Sequence, residues 1–241
     1  MRFEVFASEA DVAVAAADRL EETLRARSSQ PLVPVILPAG RTPRQLYAEL
    51  LRRAKTRLDL ERVRFVQLDE YVGCGPDDPR SFHRLLRSEL LDPLERAPER
   101  DALLDGAAPD PRAEIGRHAR QLERDGGAEL CFLGLGANGH VAFNEPGSTL
   151  EQGAHEVALA PATREAAEQE FGKGRAPQRG ITLGLRDIHA SRKIVLLVTG
   201  ASKRAILAAL RRGPPSSERP ASLLLAHPEL AVLADRAAAG A

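Results

Sequence analysis

The chain has 241 residues and carries 34 Lys and Arg residues against 34 Asp and Glu residues, so its formal net charge is zero. A neutral chain lacks the positive charge with which proteins attract nucleic acid or an anionic membrane, and we expect neither as a partner. Aromatic residues make up 4% of the sequence, too few for a surface that stacks single-stranded nucleic acid. Cys74 and Cys131 lie far apart and match no metal-ligand spacing, so we expect no disulfide framework and no metal site.

The N-terminal sequence predicts a cytoplasmic protein. It contains Glu4, Glu9 and Asp11 where a secretory signal needs an uninterrupted apolar stretch. The longest strongly apolar run of the C-terminal half, residues 194–198, is the length of a strand and far short of the roughly 20 residues that a membrane helix requires. We therefore expect no membrane span.

Short apolar runs alternate with amphipathic segments along the chain. In the first half, the predicted strands and helices are 3–6, 10–24, 33–37, 43–54, 64–68 and 82–91. In the second half, predicted strands at 130–135, 181–183, 194–198 and 230–233 accompany a helix at 203–211. This alternation is typical of an α/β fold. We expect one doubly wound domain over residues 1–241, with a mostly parallel sheet and helices on both faces.

Helix starts and loops complete the predicted organisation. Thr42 before Pro43 predicts a capping residue followed by proline at the first helical position, and Ser81 is predicted to cap the segment 82–91. Residues 97–111, rich in Pro, Ala and Asp, predict a surface connection. The segment 144–179 is rich in Gly and Pro, has a helical patch at 164–171, and predicts an active-site lid; the alternative is a disordered insertion.

Two turns after predicted strands have features of phosphate sites. Gly40, Arg41 and Thr42 lie between a buried strand and a helix start, where exposed backbone N–H groups suit a phosphate. This is not a Walker loop, and an ordinary strand-to-helix turn is an equal alternative. Lys203 closes a similar turn and offers a point charge to a phosphate monoester; the alternative is a solvated lysine of the first helical turn.

Adjacent carboxylates, Asp69 and Glu70, follow the third predicted strand, where ligands of open α/β sheets bind. Adjacent strand residues point to opposite sides. One acid can therefore face a cleft while the other pairs inside the scaffold. Partial desolvation of the acid in the cleft would raise its pKa toward that of a useful general base.

The segment 134–146 contains Gly134, Gly136 and Gly139 in a formal G-x-G-x-x-G match. We interpret the match as accidental, because Pro146 follows too soon for the required helix and no strand supplies the ribose-binding acid. The same turn holds Asn138, His140, Asn144 and Glu145. A histidine oriented by a neighbouring carboxylate is suited to proton transfer.

Taken together, these segments resemble the glucosamine-6-phosphate deaminase (glucosamine-6-phosphate isomerase) family, which is related to the 6-phosphogluconolactonases. The matching pieces occur in the family's order across nearly the whole chain: LPAGRTP, LDEYVG followed by SFH, LGLGANGHVAFNEPGS, GITLG and VTGASKR. The DEYVG and GHVAFNEPG segments are the specific ones. Lactonases of this fold characteristically follow the Asp-Glu pair with Arg and lack the Phe-Asn-Glu-Pro run, so the resemblance favours the deaminase branch.

The resemblance implies a cofactor-free conversion of glucosamine 6-phosphate and water into fructose 6-phosphate and ammonia. It implies that Asp69 is the base that moves a proton between C2 and C1, and that His140 assists opening of the sugar ring. Glu145 and Asn138 would orient and tune that histidine. Gly40, Thr42 and Lys203 would surround the phosphate, with Arg41 beside them.

The sequence departs from the family pattern at three positions. Asn138 stands where a number of family members carry Asp, Arg41 replaces a small residue of the phosphate loop, and Gln169 aligns with an arginine that the family uses on the phosphate. Arg41 either crowds the phosphate or adds a charge to it.

Two other functions remain as alternatives. A 6-phosphogluconolactonase-type hydrolase would also use a histidine but would release no ammonia. A non-catalytic sugar-phosphate-binding module would be expected to lose the acid and the histidine, because the fold alone does not fix function. For the deaminase, the expected partner is a hexosamine 6-phosphate, and the chain would act as a monomer or a small homo-oligomer.

Overall fold

The computed structural model describes residues 2–240. Its strands are β1 (Arg2–Phe6), β2 (Val33–Leu37), β3 (Val63–Gln67), β4 (Asp69–Tyr71), β5 (Leu130–Gly134), β6 (His155–Ala158), β7 (Arg179–Thr182), β8 (Ile194–Val198) and β9 (Leu230–Asp235). Its α-helices are α1 (Glu9–Ala26), α2 (Arg44–Ala54), α3 (Phe82–Leu86), α4 (Pro111–Arg124), α5 (Pro161–Phe171), α6 (Leu185–His189), α7 (Arg204–Arg212) and α8 (Arg236–Ala239). A π-helical turn, Arg87–Leu91, continues α3, and 3₁₀ turns occur at Pro98–Arg100, Ala201–Lys203 and Pro220–Ala226.

The main sheet has six strands in the order β1-β9-β8-β5-β2-β3, and all neighbouring strands are parallel. Its inner strands β2, β5 and β8 are continuous apolar runs because both faces are covered, whereas the edge strand β1 is partly exposed. Alternate strand residues pack against α1, α2 and α3 on one face and against α4, α6 and α7 on the other. The predicted doubly wound α/β architecture is confirmed.

The strand order reverses between β2 and β5. From β2 the chain continues to β3 on one side, whereas from β5 it continues to β8 on the other side. The two connections therefore leave the sheet in opposite directions and open a crevice at the carboxyl ends of these strands. Ligands of open α/β sheets bind at such a switch point.

A second sheet of three antiparallel strands, in the order β4-β7-β6, lies beside the main sheet. The sequence pattern predicts a single sheet with a strand at 181–183, whereas in the structure Arg179–Thr182 pairs with β4 and β6 in a separate sheet. Leu68 joins the sheets, because its N–H donates to the Leu37 carbonyl and its carbonyl accepts from the Leu183 N–H. Asp69 thus begins a strand that leaves the main sheet.

One predicted helix start is wrong, one is confirmed, and one predicted surface connection is partly internal. Helix α2 begins at Arg44, with Pro43 as a cap that makes no side-chain bond, so Thr42 is not the capping residue. Ser81 does cap α3, accepting the N–H of Arg84. The predicted surface connection 97–111 is partly internal: Leu104 is fully buried, and Ala102 forms a parallel bridge with Val66 at the edge of β3. None of the helices among residues 2–240 is both long and apolar enough to cross a membrane.

The turn at Gly106 fits tightly under β4. The Gly106 carbonyl accepts the N–H of Gly73 at 2.7 Å. A Cβ atom at position 106 would overlap the carbonyl oxygens of Tyr71 and Cys74 and would lie 2.9 Å from Cγ of Glu70. These neighbours are mostly backbone atoms, so they cannot move aside cheaply.

We expect Gly106→Ala to lower the free energy of unfolding by about 1–3 kcal/mol, because the added methyl group overpacks the turn. The matched control is Gly116→Ala in α4, where the nearest atom is the flexible end of the Arg120 side chain at 3.2 Å. There we expect an increase of roughly 0.5–1 kcal/mol, since alanine favours a helix interior. Urea unfolding of both variants measures the difference; equal stabilities would contradict the packing described here.

Candidate active site

A cleft of about 470 Å³ opens at the carboxyl ends of the parallel strands. Six of the predicted site residues line it: Gly40, Arg41, Thr42, Asp69, His140 and Lys203. The remaining two, Asn138 and Glu145, lie behind His140 and are hydrogen-bonded to each other. The structure thus gathers residues from four separate turns into one site.

Asp69 is the first residue of β4 and lines the cleft, with 5% of its surface exposed. Burial raises the pKa of Asp69 well above its usual value, and the adjacent Glu70 carboxylate raises it further. A carboxyl group tuned in this direction is a stronger base when ionised. Asp69 therefore has the properties of a general base that acts on a bound molecule.

Glu70 points into the scaffold, as the alternation of strand residues predicts. It is fully buried, and its carboxylate accepts the backbone N–H groups of Tyr71, Phe82 and His83 and the side-chain amide of Gln67 at 2.7–3.0 Å. Burial raises the pKa of Glu70 to about 7, and these hydrogen bonds act against that rise. Its role is to anchor β4 to the start of α3.

The turn after β5 carries His140. The backbone closes on itself, because Gly136 N–H donates to the His140 carbonyl and Gly139 N–H donates to the Gly136 carbonyl. A Cβ atom at position 136 would overlap the His140 ring, so only glycine allows the ring to lie against the turn. Gly139, with φ of 88°, adopts a left-handed conformation that glycine favours. No helix opens at this turn, whereas the dinucleotide-binding motif requires one.

The hydrogen bonds around His140 define which ring nitrogen carries the proton. The Asn138 amide nitrogen donates to Glu145 at 3.1 Å, so its Oδ1 atom faces His140. There Oδ1 accepts the backbone N–H of His140 at 3.1 Å and lies 2.6 Å from ring Nδ1. Because an amide oxygen only accepts, Nδ1 must be protonated. Nε2 of the neutral ring then has a free lone pair.

Charges act on His140 in opposite directions. Burial lowers the pKa of His140, the Glu145 carboxylate at 3.6 Å from Nδ1 raises it, and Lys203 lowers it. Glu145 is itself held by the N–H of Ala160 at 3.1 Å. The ring is therefore neutral by preference, yet has a carboxylate close enough to stabilise the imidazolium that forms when Nε2 accepts a proton.

The cleft is also lined by two cationic side chains on strand-to-helix turns, Arg41 and Lys203. Gly40 has φ of 100° and Gly200 has φ of 88°, so each strand-to-helix turn reverses through a glycine in a left-handed conformation. Lys203 is half-buried, and burial lowers its pKa. The Arg41 guanidinium is hydrogen-bonded to the Gln169 side chain of α5 across the mouth of the cleft. Two cationic side chains thus flank backbone that is suited to an anion.

Sequence reasoning missed part of the cleft wall. Tyr71, Phe82, Phe143 and Phe171 form an aromatic cluster, with ring centroids 4.7–5.9 Å apart. It also missed Thr163 of α5, whose hydroxyl lies 3.3 Å from Nδ1 of His140. The spacing of Thr163, Ala167 and Phe171 places them on one face of a helix, and this pattern could have predicted that Thr163 faces inward. Among residues 2–240, no three His, Cys, Asp or Glu side chains are grouped as a metal site.

Comparisons with known proteins agree on one family. Residues 7–232 match the model of the glucosamine-6-phosphate isomerases/6-phosphogluconolactonase family. The chain is 36% identical to glucosamine-6-phosphate deaminase of Bacillus velezensis over 227 residues, which covers 93% of each chain. It is 35% identical to glucosamine-6-phosphate deaminase 1 of Bacillus subtilis over 205 residues, covering 84% of this chain and 85% of that protein.

Solved structures extend the comparison. A monomeric glucosamine-6-phosphate deaminase superposes with a TM-score of 0.94 and 32% identity, covering 100% of this chain and 99% of the other. The 6-phosphogluconolactonase of Leishmania guyanensis superposes with a TM-score of 0.78 and 20% identity, covering 98% and 97% of the two chains. The second likeness shows a shared fold.

Asp69 and Asp101 are both buried, but we expect their replacement by asparagine to change the stability of the fold in opposite directions. Asp69 has a raised pKa when folded, so its protonated form stabilises the fold below the pKa of the unfolded chain, and that contribution is lost as the pH rises. Asp101 instead forms hydrogen bonds with the buried Arg96 at 2.8 Å and with the N–H of Phe65.

We expect Asp69→Asn to raise the unfolding temperature at pH 8, and to do so less at pH 5, because it removes a buried unpaired charge. One kcal/mol corresponds to about 2–4 °C in a chain of this size. Asp101→Asn is the matched control and should lower stability, since it leaves Arg96 without a charged partner. Thermal unfolding at both pH values is the measurement; a destabilised Asp69→Asn protein would show that the Asp69 carboxylate is well paired.

Proposed function

Because the chain belongs to the family of glucosamine-6-phosphate isomerases and 6-phosphogluconolactonases, we propose that it converts glucosamine 6-phosphate and water into fructose 6-phosphate and ammonia. One observation carries the proposal: the Asp69 carboxylate and the free Nε2 of His140 line the same cleft as the cationic turns. A phosphorylated sugar would then lie between a basic end that binds its phosphate and an acid–base pair that acts on its carbon atoms.

His140 would open the sugar ring. Its Nε2 lone pair accepts the proton of the hydroxyl at C1, and the proton then passes to the ring oxygen as the C1–O5 bond breaks. Glu145 supports the imidazolium formed on the way, at 3.6 Å from Nδ1. Asn138 holds the ring but adds no charge, so Glu145 supplies the electrostatic support that a second acid would otherwise share.

Asp69 would then carry out the isomerisation. It removes the proton from C2 and delivers it to C1, while a proton of the C2 ammonium group passes to O1. The aldehyde carbon becomes a hydroxymethyl carbon, and the amine becomes a C=NH₂⁺ group at C2. Water adds to that C=N bond and ammonia departs. A buried carboxylate close to two adjacent carbons suits this transfer, because positioning supplies much of the rate.

The phosphate would bind at the turn 40–42 and at Lys203, with the Arg41 side chain of the same turn adding a second charge. Backbone N–H groups at the start of α2 and charge-assisted contacts together favour a phosphate dianion. The hydrogen bond between Arg41 and Gln169 supports a role for Arg41 at the phosphate. Gln169 has no charge of its own, but it holds the Arg41 guanidinium beside the turn.

We further propose that residues 144–179 form the lid and that residues 1–241 act as one functional unit. Helix α5 contributes Thr163, Gln169 and Glu170 to the cleft wall, which is the position expected of a cover. A monomer is favoured over an oligomer, since the similar solved structure at 32% identity is that of a monomeric deaminase. A cytoplasmic location fits a sugar phosphate, which does not cross a membrane unaided.

The test is ammonia release from a panel of hexosamine 6-phosphates, run beside hydrolysis of a 6-phosphogluconolactone. We expect ammonia from glucosamine 6-phosphate and no lactone hydrolysis. Asp69→Asn should reduce kcat by about 10²–10⁴-fold, because a general base is removed. Lactone hydrolysis without ammonia release would assign the chain to the other branch of its family, and an Asp69→Asn protein with half of the wild-type kcat would remove Asp69 from its role.

Lys203 offers a separate test of the phosphate site. We expect Lys203→Ala to raise KM for the sugar phosphate and the inhibition constant of inorganic phosphate by about 10-fold each, as one charge-assisted contact is lost. The control is Lys55→Ala, at an exposed lysine that follows α2 away from the cleft. If both constants stay unchanged in Lys203→Ala, the lysine is merely solvated.

A further inference from the structure

Thr163 is a buried residue with a hydroxyl group, and it is not among the predicted site residues. It lies in the first turn of α5 and is 5% exposed. A helical threonine commonly directs its hydroxyl to a carbonyl of its own helix. Among the residues that the structure describes, the Thr163 hydroxyl instead has one hydrogen-bond partner, Nδ1 of His140 at 3.3 Å.

Helix α5 contacts the proton relay at a second point. The N–H of Ala160, the residue that precedes the helix, donates to Oε1 of Glu145 at 3.1 Å. The other carboxylate oxygen of Glu145 faces Asn138 and Nδ1 of His140. The start of α5 therefore touches both the histidine and the acid that supports it.

Three oxygen atoms surround Nδ1 of His140: Asn138 Oδ1 at 2.6 Å, Thr163 Oγ1 at 3.3 Å and Glu145 Oε2 at 3.6 Å. Two of them come from the turn after β5, and the third comes from α5. Since Asn138 and Glu145 act only as acceptors at this nitrogen, the threonine hydroxyl completes a set that favours a proton on Nδ1.

We infer that Thr163 is a positioning residue for His140. Its hydroxyl acts beside Asn138 as a further acceptor at Nδ1, and it orients the imidazole so that the proton acceptor at Nε2 depends on the position of α5. The kinetic part of this inference rests on the proposed function, whereas the contact with Nδ1 does not. The charged groups that act on the ring are Glu145 and Lys203, and both are unchanged when Thr163 is replaced.

The decisive comparison is between Thr163→Val and Thr163→Ser. Valine keeps the branched shape and removes the hydroxyl, whereas serine keeps the hydroxyl and removes the methyl group. We expect Thr163→Val to lower kcat by about three- to tenfold with KM changed less than twofold, because one hydrogen bond to the ring is lost. Thr163→Ser should stay within about twofold of the wild-type kcat. So should the control Thr56→Val, because Thr56 follows α2 and its hydroxyl donates to the Arg53 carbonyl.

The tautomer is read directly from two-bond ¹⁵N–¹H spectra of the labelled protein, in which the His140 signals are assigned by their loss in His140→Gln. We expect an Nδ1–H ring in the wild type and in Thr163→Ser. In Thr163→Val we expect a lower pKa of His140, by about half a pH unit, because the protonated ring loses an acceptor. Glu145→Gln, which removes the neighbouring carboxylate, should shift this pKa in the same direction and by more.

The outcomes separate the two proposals. A wild-type kcat together with a wild-type His140 titration in Thr163→Val would overturn the positioning role. Equal losses in the Val and Ser variants would also overturn it, because packing rather than the hydroxyl would then be responsible. If no hexosamine 6-phosphate releases ammonia with the wild-type protein, the proposed function fails, and the spectra alone decide whether Thr163 positions His140.

Discussion

Four hydrogen-bond donors converge on the buried carboxylate of Glu70, and the geometry of the cleft depends on this convergence. Three of the donors are backbone N–H groups, so they hold β4 to the start of α3 without relying on flexible side chains. Because neighbouring strand residues face opposite ways, fixing Glu70 in the scaffold also fixes Asp69 in the cleft. The buried charge that anchors the strand also strengthens Asp69 as a base, since it opposes ionisation of its neighbour.

His140 is oriented by a neutral side chain, the amide of Asn138. Asn138 contacts three groups at once, namely the Glu145 carboxylate, the His140 backbone and the His140 ring, and each contact requires a defined end of the amide. An amide thereby fixes the direction of the imidazole while the charge remains on Glu145. The cationic side chains lie on the strand-to-helix turns, whereas Asp69 begins β4 and His140 lies on the turn after β5.

The sequence predicts the architecture well where one pattern decides the structure. Continuous apolar runs identify the strands of the main sheet, because burial on both faces leaves no alternative. The residues at their carboxyl ends could likewise be assembled into one cleft, since parallel strands end at the same edge. The motif containing His140 is specific enough to select the residues of the relay before any contact is known.

The remainder depends on contacts between distant segments. Strand β6 reads His-Glu-Val-Ala, and it is too short and too polar to be identified before its pairing with β7 is known. Leu68 connects the two sheets through backbone hydrogen bonds, and no pattern of side chains predicts such bonds. Thr163 lies 23 residues after His140 in sequence, and helical periodicity shows that it faces inward but not what it meets.

The aromatic cluster gives the protein a spectroscopic property of its own. The chain has no tryptophan and only two tyrosines. The Tyr47 hydroxyl donates a hydrogen bond to the Pro38 carbonyl. Tyr71 instead packs edge-on against Phe171 at the end of α5, with ring centroids 5.1 Å apart. Once Tyr47 is replaced by phenylalanine, all ultraviolet emission of tyrosine type comes from a single ring in the cleft wall, and any displacement of α5 changes the surroundings of that fluorophore without an added label.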